Sequence, residues 1–219
     1  MMRLTSPAPG RPRSTGRSNR ALRFPIRASL IAAALALVGC RSHQEGLTFQ
    51  AKVSDLRRPG NALAKGKRPD EIVEITLPGQ LRTPPTPLAL VSRSDADWST
   101  PERAASSSVS ANLAGDVSWI VESYVPAERD EVRKQLSDPA AARRVRDYYR
   151  SMGEVEMTGW ADVHGFTVVF LLGRDQDGDA TFASVTLSKT ASGWRQTNAL
   201  AQDDTFEVVW TALHTGGVR

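Results

Sequence analysis

The chain has 219 residues and a mass of 23.8 kDa, with 40% hydrophobic and 24% charged residues, ordinary values for a globular chain with a real core. One cysteine excludes an intramolecular disulfide framework and a multi-cysteine zinc site, and three histidines leave little for a metal centre, so we predict no metal and no cofactor. The net charge of +4 comes from residues 1–39, which hold seven arginines and no acidic residue. The other 180 residues carry 21 basic and 24 acidic groups. Because this part of the chain is not basic, we expect no nucleic-acid partner.

The amino terminus has the composition of a signal peptide. Residues 1–27 are rich in Arg, Pro and Ser, and the apolar run 28–38 is shorter than the ~20 residues that span a bilayer. The run closes with Leu37-Val38-Gly39-Cys40, which resembles the lipobox of bacterial lipoproteins at all four positions. The resemblance implies removal of residues 1–39 and attachment of two or three acyl chains, such as palmitate, to Cys40. The alternative is a buried free thiol behind an ordinary signal peptide.

The lipobox resemblance also implies a location. One acyl chain holds a protein to a membrane only marginally, whereas two or more hold it stably. Arg41 rather than Asp follows the cysteine. The family's sorting rule then implies the periplasmic face of the outer membrane in a two-membrane bacterium, and the plasma membrane otherwise. We therefore expect a cell-envelope protein whose partner is the membrane, bound through lipidated Cys40.

Residues 40–94 are predicted to be a tether with short β-segments. Residues 47–53 and 73–77 alternate between apolar and polar side chains, as half-buried strands do. The proline-rich stretch 83–87 is typical of a stiff connector. Two arrangements stay open: a separate hairpin on the tether, or strands that dock on the domain behind it.

The folded domain is predicted over residues 95–219 and opens with helices. Ser99 and Glu102 have the spacing of a capping box, and Gly115 is placed to end the helix. Asp116 is predicted to cap a short apolar segment, 117–121. A further helix is predicted to begin near Pro126, and the pattern begins again at Asp138-Pro139 and ends at Gly153.

After Gly153 the apolar period changes from helical to 2. Four short strands are predicted at about residues 155–163, 166–172, 181–187 and 193–200, and the tight turns between them make the pairing antiparallel. Helices followed by such a meander predict an α+β fold, with N-terminal helices on one face of a curved sheet of four or more strands. The tail 205–213 is either a helix capped by Asp203-Asp204 or an added strand.

A family resemblance covers about residues 95–202. The sequence "TPE" opens the first helix, "GD" follows it, "YY" ends the charged helix, and "GWR" lies in the last hairpin. This order resembles small secreted NTF2-like (cystatin-like) domains. The resemblance implies a curved sheet that wraps a helix around a conical cavity, with Trp194 near its wall. The family includes isomerases, dehydratases and non-catalytic binding modules, so the fold does not choose the function.

The candidate catalytic residues are Asp162, His164 and Tyr148, because NTF2-like isomerases use an acid as base and a phenol as oxyanion donor. Asp162 falls in the polar half of its strand, which favours a surface acid, and His164 falls at a turn. The candidate binding residues are Trp160, which the alternation places on the polar face of the sheet, and Trp194. The acidic segment 175–179 lacks EF-hand spacing and predicts a hairpin turn rather than a metal site.

The sequence therefore favours a lipid-anchored, non-catalytic module that binds a small apolar ligand or a protein, with a homodimer as one form of protein partner. The P-loop, the dinucleotide fingerprint and the Gly-x-Ser-x-Gly elbow do not occur in the sequence. The alternatives are an acid/base enzyme of isomerase or dehydratase type with its site in the cone, and a structural subunit of the envelope.

Overall fold

The structure, a computed structural model, describes residues 46–175 and 177–219. The predicted signal peptide, the lipobox and Cys40 lie outside these residues. Among the described residues, no helix is both long and apolar enough to cross a membrane.

Within the described residues, six strands form one antiparallel sheet in which each strand pairs with the next along the chain. The four predicted strands after Gly153 are present, and the α+β class and the antiparallel pairing are confirmed. The strands are β1 Gly46–Lys52, β2 Ile72–Pro87, β3 Glu154–Val163, β4 Phe166–Arg174, β5 Ala180–Thr190 and β6 Gly193–Gln196.

Four helices separate β2 from β3, and a fifth follows β6. They are α1 Pro101–Ala114, α2 Val117–Ser123, α3 Arg129–Leu136, α4 Pro139–Ser151 and α5 Asp204–Thr215. Thr100, not Ser99, caps α1, and Gly115 ends it with φ 70°. Of the two alternatives for the tail 205–213, the helix is the one observed. It is capped by Asp203, whose Oδ1 accepts a hydrogen bond from the Phe206 backbone amide at 2.8 Å.

Helices cover both faces of the sheet, so the prediction of N-terminal helices on a single face is wrong. Successive side chains of a strand point to opposite faces. On β4, Val168 and Phe170 pack with α5, whereas Val169 and Leu171 pack with α1. The helices α2, α3 and α4 form a further cluster against α1. Strand β4 therefore contributes side chains to both cores, which explains why its sequence is a continuous apolar run.

Strands β1 and β2 belong to this sheet, because β2 pairs with β1 on one side and with β3 on the other. Of the two arrangements left open by the sequence, docking on the domain is the one observed. The proline-rich stretch 83–87 is the end of β2, where the pairing with β3 is irregular between Leu81 and Thr86. Proline has no amide hydrogen for a ladder bond, which accounts for the interruption. The boundary predicted between the tether and the folded domain, at residues 94 and 95, lies between β2 and β3 of this one sheet.

A one-residue bulge in β3 sets the direction of the predicted site residues. Met157 pairs with Leu171 on β4 but Gly159 pairs with Phe170, which leaves Thr158 as the extra residue. Side chains before and after the bulge therefore change faces: Val155 and Met157 lie in the α1 core, and Ala161 and Val163 lie in the α5 core. Trp160 and Asp162 consequently face α1.

The serines of α1 hold the irregular segment 88–97 against the helix. The Ser107 hydroxyl accepts from the Asp97 amide at 2.9 Å and donates to the Asp97 carbonyl at 3.1 Å. Ser110 accepts from the Val91 amide at 3.0 Å, and Ser106 donates to the Ala89 carbonyl. The Ser108 hydroxyl is buried and makes no hydrogen bond to any described residue.

These contacts predict opposite effects for two neighbouring substitutions. Ser107→Ala leaves two backbone groups of Asp97 without their partner and should destabilise the fold by about 1–3 kcal/mol. Ser108→Ala removes a buried, unpartnered hydroxyl and adds the strongest helix former, so stability should be unchanged or slightly higher. Equilibrium urea unfolding of both variants checks this, and equal losses would refute the assignment of the two hydroxyls.

Candidate functional site

Of the depressions on the described residues, two lie on opposite faces of the sheet. The first, the α1 groove, is a cavity of about 320 Å³ between the first turn of α1 and strands β3, β4 and β6. It is lined by Pro101, Glu102, Met157, Trp160, Asp162, Thr167, Val169 and Trp194. Three of the residues singled out from the sequence, Trp160, Asp162 and Trp194, thus line one cavity.

The remaining catalytic candidates do not line the α1 groove. His164 occupies the β3–β4 turn with φ 54°, and its Nε2 lies 3.2 Å from the Thr205 hydroxyl and 3.5 Å from the Asp203 carboxylate, at the start of α5. Tyr148 is partly exposed on α4 and packs edge-to-face on Tyr149 at 5.4 Å. Asp162 accepts a hydrogen bond from the Gly165 amide at 2.8 Å and so closes the same turn that holds His164.

Two carboxylates beside the α1 groove are paired with arginines. A neighbouring cavity of about 390 Å³, on the same side of the sheet, shares Glu102 and Met157 with the groove. On the rim of this neighbouring cavity, Arg82 contacts Glu102 at 3.2 Å and Arg103 contacts Asp97 at 2.5 Å. Hydrogen bonds from Ser99 and Arg103 lower the pKa of Asp97 to about 2. This carboxyl is therefore ionised at neutral pH and holds no proton for general acid catalysis.

The second depression, the α5 cleft, is a cavity of about 380 Å³ on the other face. Helix α5 packs on β1 to β4, and beyond its flank Ser184 and Thr186 of β5 line the cavity. These residues pair with Phe170 and Val168 of β4, which point toward α5, so all four share one face. The lining residues are Arg57, Arg58, Ser184, Thr186, Gln196, Thr197, Asn198, Ala201, Asp203, Phe206, Glu207 and Trp210.

A buried carboxylate organises the wall of the α5 cleft. Glu207 on α5 is 6% exposed, and its carboxylate accepts from the Arg58 Nε at 3.2 Å and the Asn61 Nδ2 at 2.8 Å. The Arg58 backbone amide also donates to Glu207, at 2.5 Å, and the Arg58 Nη2 donates to Asp204, also at 2.5 Å. Both charges are thus compensated within the chain, as buried charges must be.

Two polar atoms of the cleft residues lack a partner. The Gln196 Oε1 and the Trp210 Nε1 are buried and make no hydrogen bond within the described part of the chain. The other end of the Gln196 amide donates to the Tyr124 hydroxyl at 2.9 Å, which fixes the side chain. Gln196 pairs with Leu187, whose side chain lies in the α1 core, so the Gln196 amide points away from the α5 cleft, and the Trp210 Nε1 is itself buried from the cavity.

Sequence reasoning did not identify the α5 cleft. It noted Asp203 only as a helix cap and placed Trp210 only within the tail 205–213. The opposite charges of Arg58 and Glu207 are the signal, but 149 positions separate them and nothing local joins them. Among the described residues, no group of histidine, cysteine and acidic side chains is arranged to hold a metal ion.

The three tyrosines, which lie outside both depressions, have raised pKa values. Burial, with the charge of Glu128, raises the pKa of Tyr124 to about 12, and burial raises the pKa of Tyr148 and Tyr149. A phenol whose pKa is higher in the folded chain keeps its proton there while the unfolded chain loses it. Stability should therefore fall as the pH rises from about 10 toward 12.

A spectroscopic titration tests these pKa directions. In the folded protein, phenolate absorbance near 295 nm should appear only above pH 10, and in concentrated urea the midpoint should return to about 10 for all three residues. Tyr148→Phe removes the most exposed phenol and should leave Tyr124 and Tyr149, the two phenols with the highest pKa values. A folded-state component with a midpoint at or below 10 would contradict the burial of these side chains.

Searches of protein-family models, of curated proteins and of solved structures find no match to this chain. The geometry of the described residues and the resemblances in the sequence therefore carry the assignment of a function.

Proposed function

We propose that this chain is a lipid-anchored protein of the bacterial cell envelope that binds a small, uncharged polar molecule in the α5 cleft without chemically changing it. The observation that carries the proposal is the wall of the cleft. Hydroxyl side chains and the side chain of Asn198 line it, and the carboxylates of Glu207 and Asp203 are already engaged within the chain.

The charge pattern supports an uncharged ligand. Glu207 and Arg58 neutralise each other, and Asp203 caps α5 while lying 3.5 Å from His164. The Arg57 guanidinium lies over the Trp210 ring, 5.4 Å from its centroid. The groups left to a ligand are Ser184, Thr186 and Asn198 at the wall. Hydroxyl and amide groups of a molecule such as a sugar match them, and the volume of about 380 Å³ lies in the range of small-molecule sites.

The same wall supports binding rather than catalysis. A nucleophile needs a base within hydrogen-bonding reach, and a general acid needs a proton to give. Of the described residues that line the cleft, none is His, Cys, Lys or Tyr, and the Glu207 carboxylate is occupied by Arg58 and Asn61. Ser184 and Thr186 have no hydrogen bond from their hydroxyls to a carboxylate or an imidazole of the described chain.

The envelope location and the fold family are parts of this proposal with separate support. The lipobox resemblance at residues 37–40 supports the anchor at Cys40. The order of helices α1 to α4 followed by the meander β3 to β6 supports an NTF2-like assignment. Strands β1 and β2 and helix α5 would be additions to that family's element order.

The ligand proposal predicts a bound small molecule. Native mass spectrometry of the full-length protein, extracted from the membranes of its own organism in mild detergent, should show a stoichiometric extra mass that leaves on unfolding. Ser184→Phe fills the α5 cleft and should abolish the extra mass, whereas Trp160→Ala alters only the α1 groove and should retain it. A ligand-free wild-type protein would contradict the proposal. Retention in Ser184→Phe with loss in Trp160→Ala would move the site to the α1 groove and reopen the acid/base enzyme hypothesis with Asp162.

The anchor proposal makes an independent prediction. Cys40→Ser removes the thiol that receives the lipid and should move the protein from the membrane fraction to the soluble fraction after a high-salt wash. Ser42→Ala, two residues away, serves as the control and should stay with the membranes. If Cys40→Ser remains membrane-bound after washing, the lipid anchor is wrong.

A further inference from the structure

The α1 groove holds one carboxylate that is paired with no cation among the described residues. Asp162 lines the groove beside Trp160, and its carboxylate accepts from the Gly165 amide at 2.8 Å. No arginine, lysine or histidine nitrogen of the described chain lies within 4.0 Å of this carboxylate. Glu102, the other acid of the groove, contacts the Arg82 guanidinium at 3.2 Å. The groove therefore keeps one negative charge for which the described residues supply no ion pair.

An unused hydroxyl lies directly across from this carboxylate. Thr167 on β4 is the register partner of Asp162 on β3, and such cross-strand partners have their Cβ atoms about 4.5–5.5 Å apart. Thr167 is 8% exposed and lines the groove, yet its hydroxyl makes no hydrogen bond to any described residue. The hydroxyl oxygen is not fully enclosed, so it borders the space of the groove. A buried polar side chain normally has a partner, so this pair offers acceptors to a donor that enters the groove.

Two half-buried tryptophans flank this pair. Trp160 lies two residues before Asp162 on β3, so the two side chains share a face, whereas Trp194 lies on β6. Three strand spacings of about 4.8 Å separate the two backbones by about 14 Å, with Val169 of β4 between them. The Trp194 ring already attracts a cation, because the Lys189 ammonium lies 5.9 Å from its centroid. The Trp160 ring makes no such contact with a described arginine or lysine.

A carboxylate, a hydroxyl acceptor and an aromatic face together match a protonated amine. The N–H groups of an ammonium ion donate charge-assisted hydrogen bonds to carboxylate and hydroxyl oxygens, and its positive charge is attracted by the face of a tryptophan ring. The two carboxylates of the groove repel an anion, and an uncharged ligand would leave the charge of Asp162 without compensation. The volume of about 320 Å³ lies in the range of small-molecule sites.

We propose that the α1 groove binds a small primary amine in its protonated form, with the ammonium group held by Asp162, Thr167 and the Trp160 ring. The carbon chain of the amine lies against Val169 and Met157, which also line the groove. Because the acid and the tryptophan are half-buried rather than enclosed, the amine exchanges with solvent and is lost on purification, so it does not add to the extra mass predicted for the α5 cleft. The two depressions share no residue, so this site is independent of the function proposed above.

A titration of the full-length protein with butylammonium chloride, followed by NMR at constant ionic strength set with sodium chloride, tests this site. Labelling the tryptophans with ¹⁵N gives five indole N–H signals, which single Trp→Phe variants assign. The signals of Trp160 and Trp194 should shift saturably, whereas that of Trp210 in the α5 cleft should not. Butanol, the uncharged analogue, should cause no saturable shift. Absence of a saturable shift with butylammonium, or equal affinity for butanol, would overturn the proposal.

Two substitutions of the same kind separate the groove from the general charge of the protein. Asp162→Asn removes the charge but keeps an oxygen for the Gly165 amide, and it should weaken butylammonium binding by about tenfold or more. Asp177→Asn is the matched control, because this exposed acid of the β4–β5 turn changes the net charge equally, and it should bind as the wild type does. Unchanged affinity in Asp162→Asn, or an equal loss in Asp177→Asn, would overturn the site.

Thr167→Val tests the hydroxyl separately. The variant keeps the shape of the side chain, so it should fold, as judged by circular dichroism, and bind butylammonium about threefold more weakly than the wild type. Equal affinity in this variant would count against the site.

Two further ligands identify the group that the groove recognises. Tetramethylammonium has the charge but no N–H donor, so it should bind more weakly than butylammonium, and equal binding would contradict the hydrogen bonds to Asp162 and Thr167. Nα-acetyllysine methylamide presents the same ammonium group on a peptide. Binding of this peptide no tighter than that of butylammonium supports a free amine as the ligand, whereas clearly tighter binding would assign the groove to a lysine side chain of a protein partner and contradict the proposal.

Discussion

The arrangement of the α5 face of the sheet depends on one buried carboxylate. Glu207 projects from α5 into the connection between β1 and β2, where Arg58 and Asn61 donate to it. A carboxylate that is 6% exposed is tolerated only with such donors, so the contact fixes the position of α5 along the sheet. The apolar stripe of α5 then covers β1 to β4, and its flank leaves the β5 surface open as the wall of the cleft.

The two faces of the sheet have different chemistry because different helices cover them. On the α1 side, tryptophans, apolar side chains and the carboxylates of Glu102 and Asp162 line the groove, and the arginines of the adjoining rim are paired with acids. On the α5 side, hydroxyl and amide groups line a cavity beside a neutralised ion pair. The α1 groove combines tryptophans with the carboxylates of Glu102 and Asp162, whereas the α5 cleft offers uncharged hydroxyl and amide groups. This difference decides where we place the site for an uncharged polar ligand.

Local patterns in the sequence predicted the local structure well. The cap at Asp116, the helix restart at Asp138 and the four alternating strands after Gly153 all depend on residues within one turn or one hairpin. The orientation of Asp162 was not predictable, because the bulge at Thr158 shifts the alternation by one residue and turns this side chain toward α1. The cleft was missed for a related reason: its parts come from residues 57–58, 184–198 and 201–210, which only the fold brings together.

The most direct test of the role of Glu207 is a double-mutant cycle with Arg58→Met, Glu207→Gln and the double variant, followed by urea unfolding. The cycle isolates the Arg58–Glu207 contribution from the contact that Arg58 also makes with Asp204. We predict losses of about 2–4 kcal/mol for Glu207→Gln and a coupling energy of about 1.5–3 kcal/mol between the two positions. A coupling energy near zero, with the two single losses adding in the double variant, would show that α5 is held by its apolar face alone and would contradict the account.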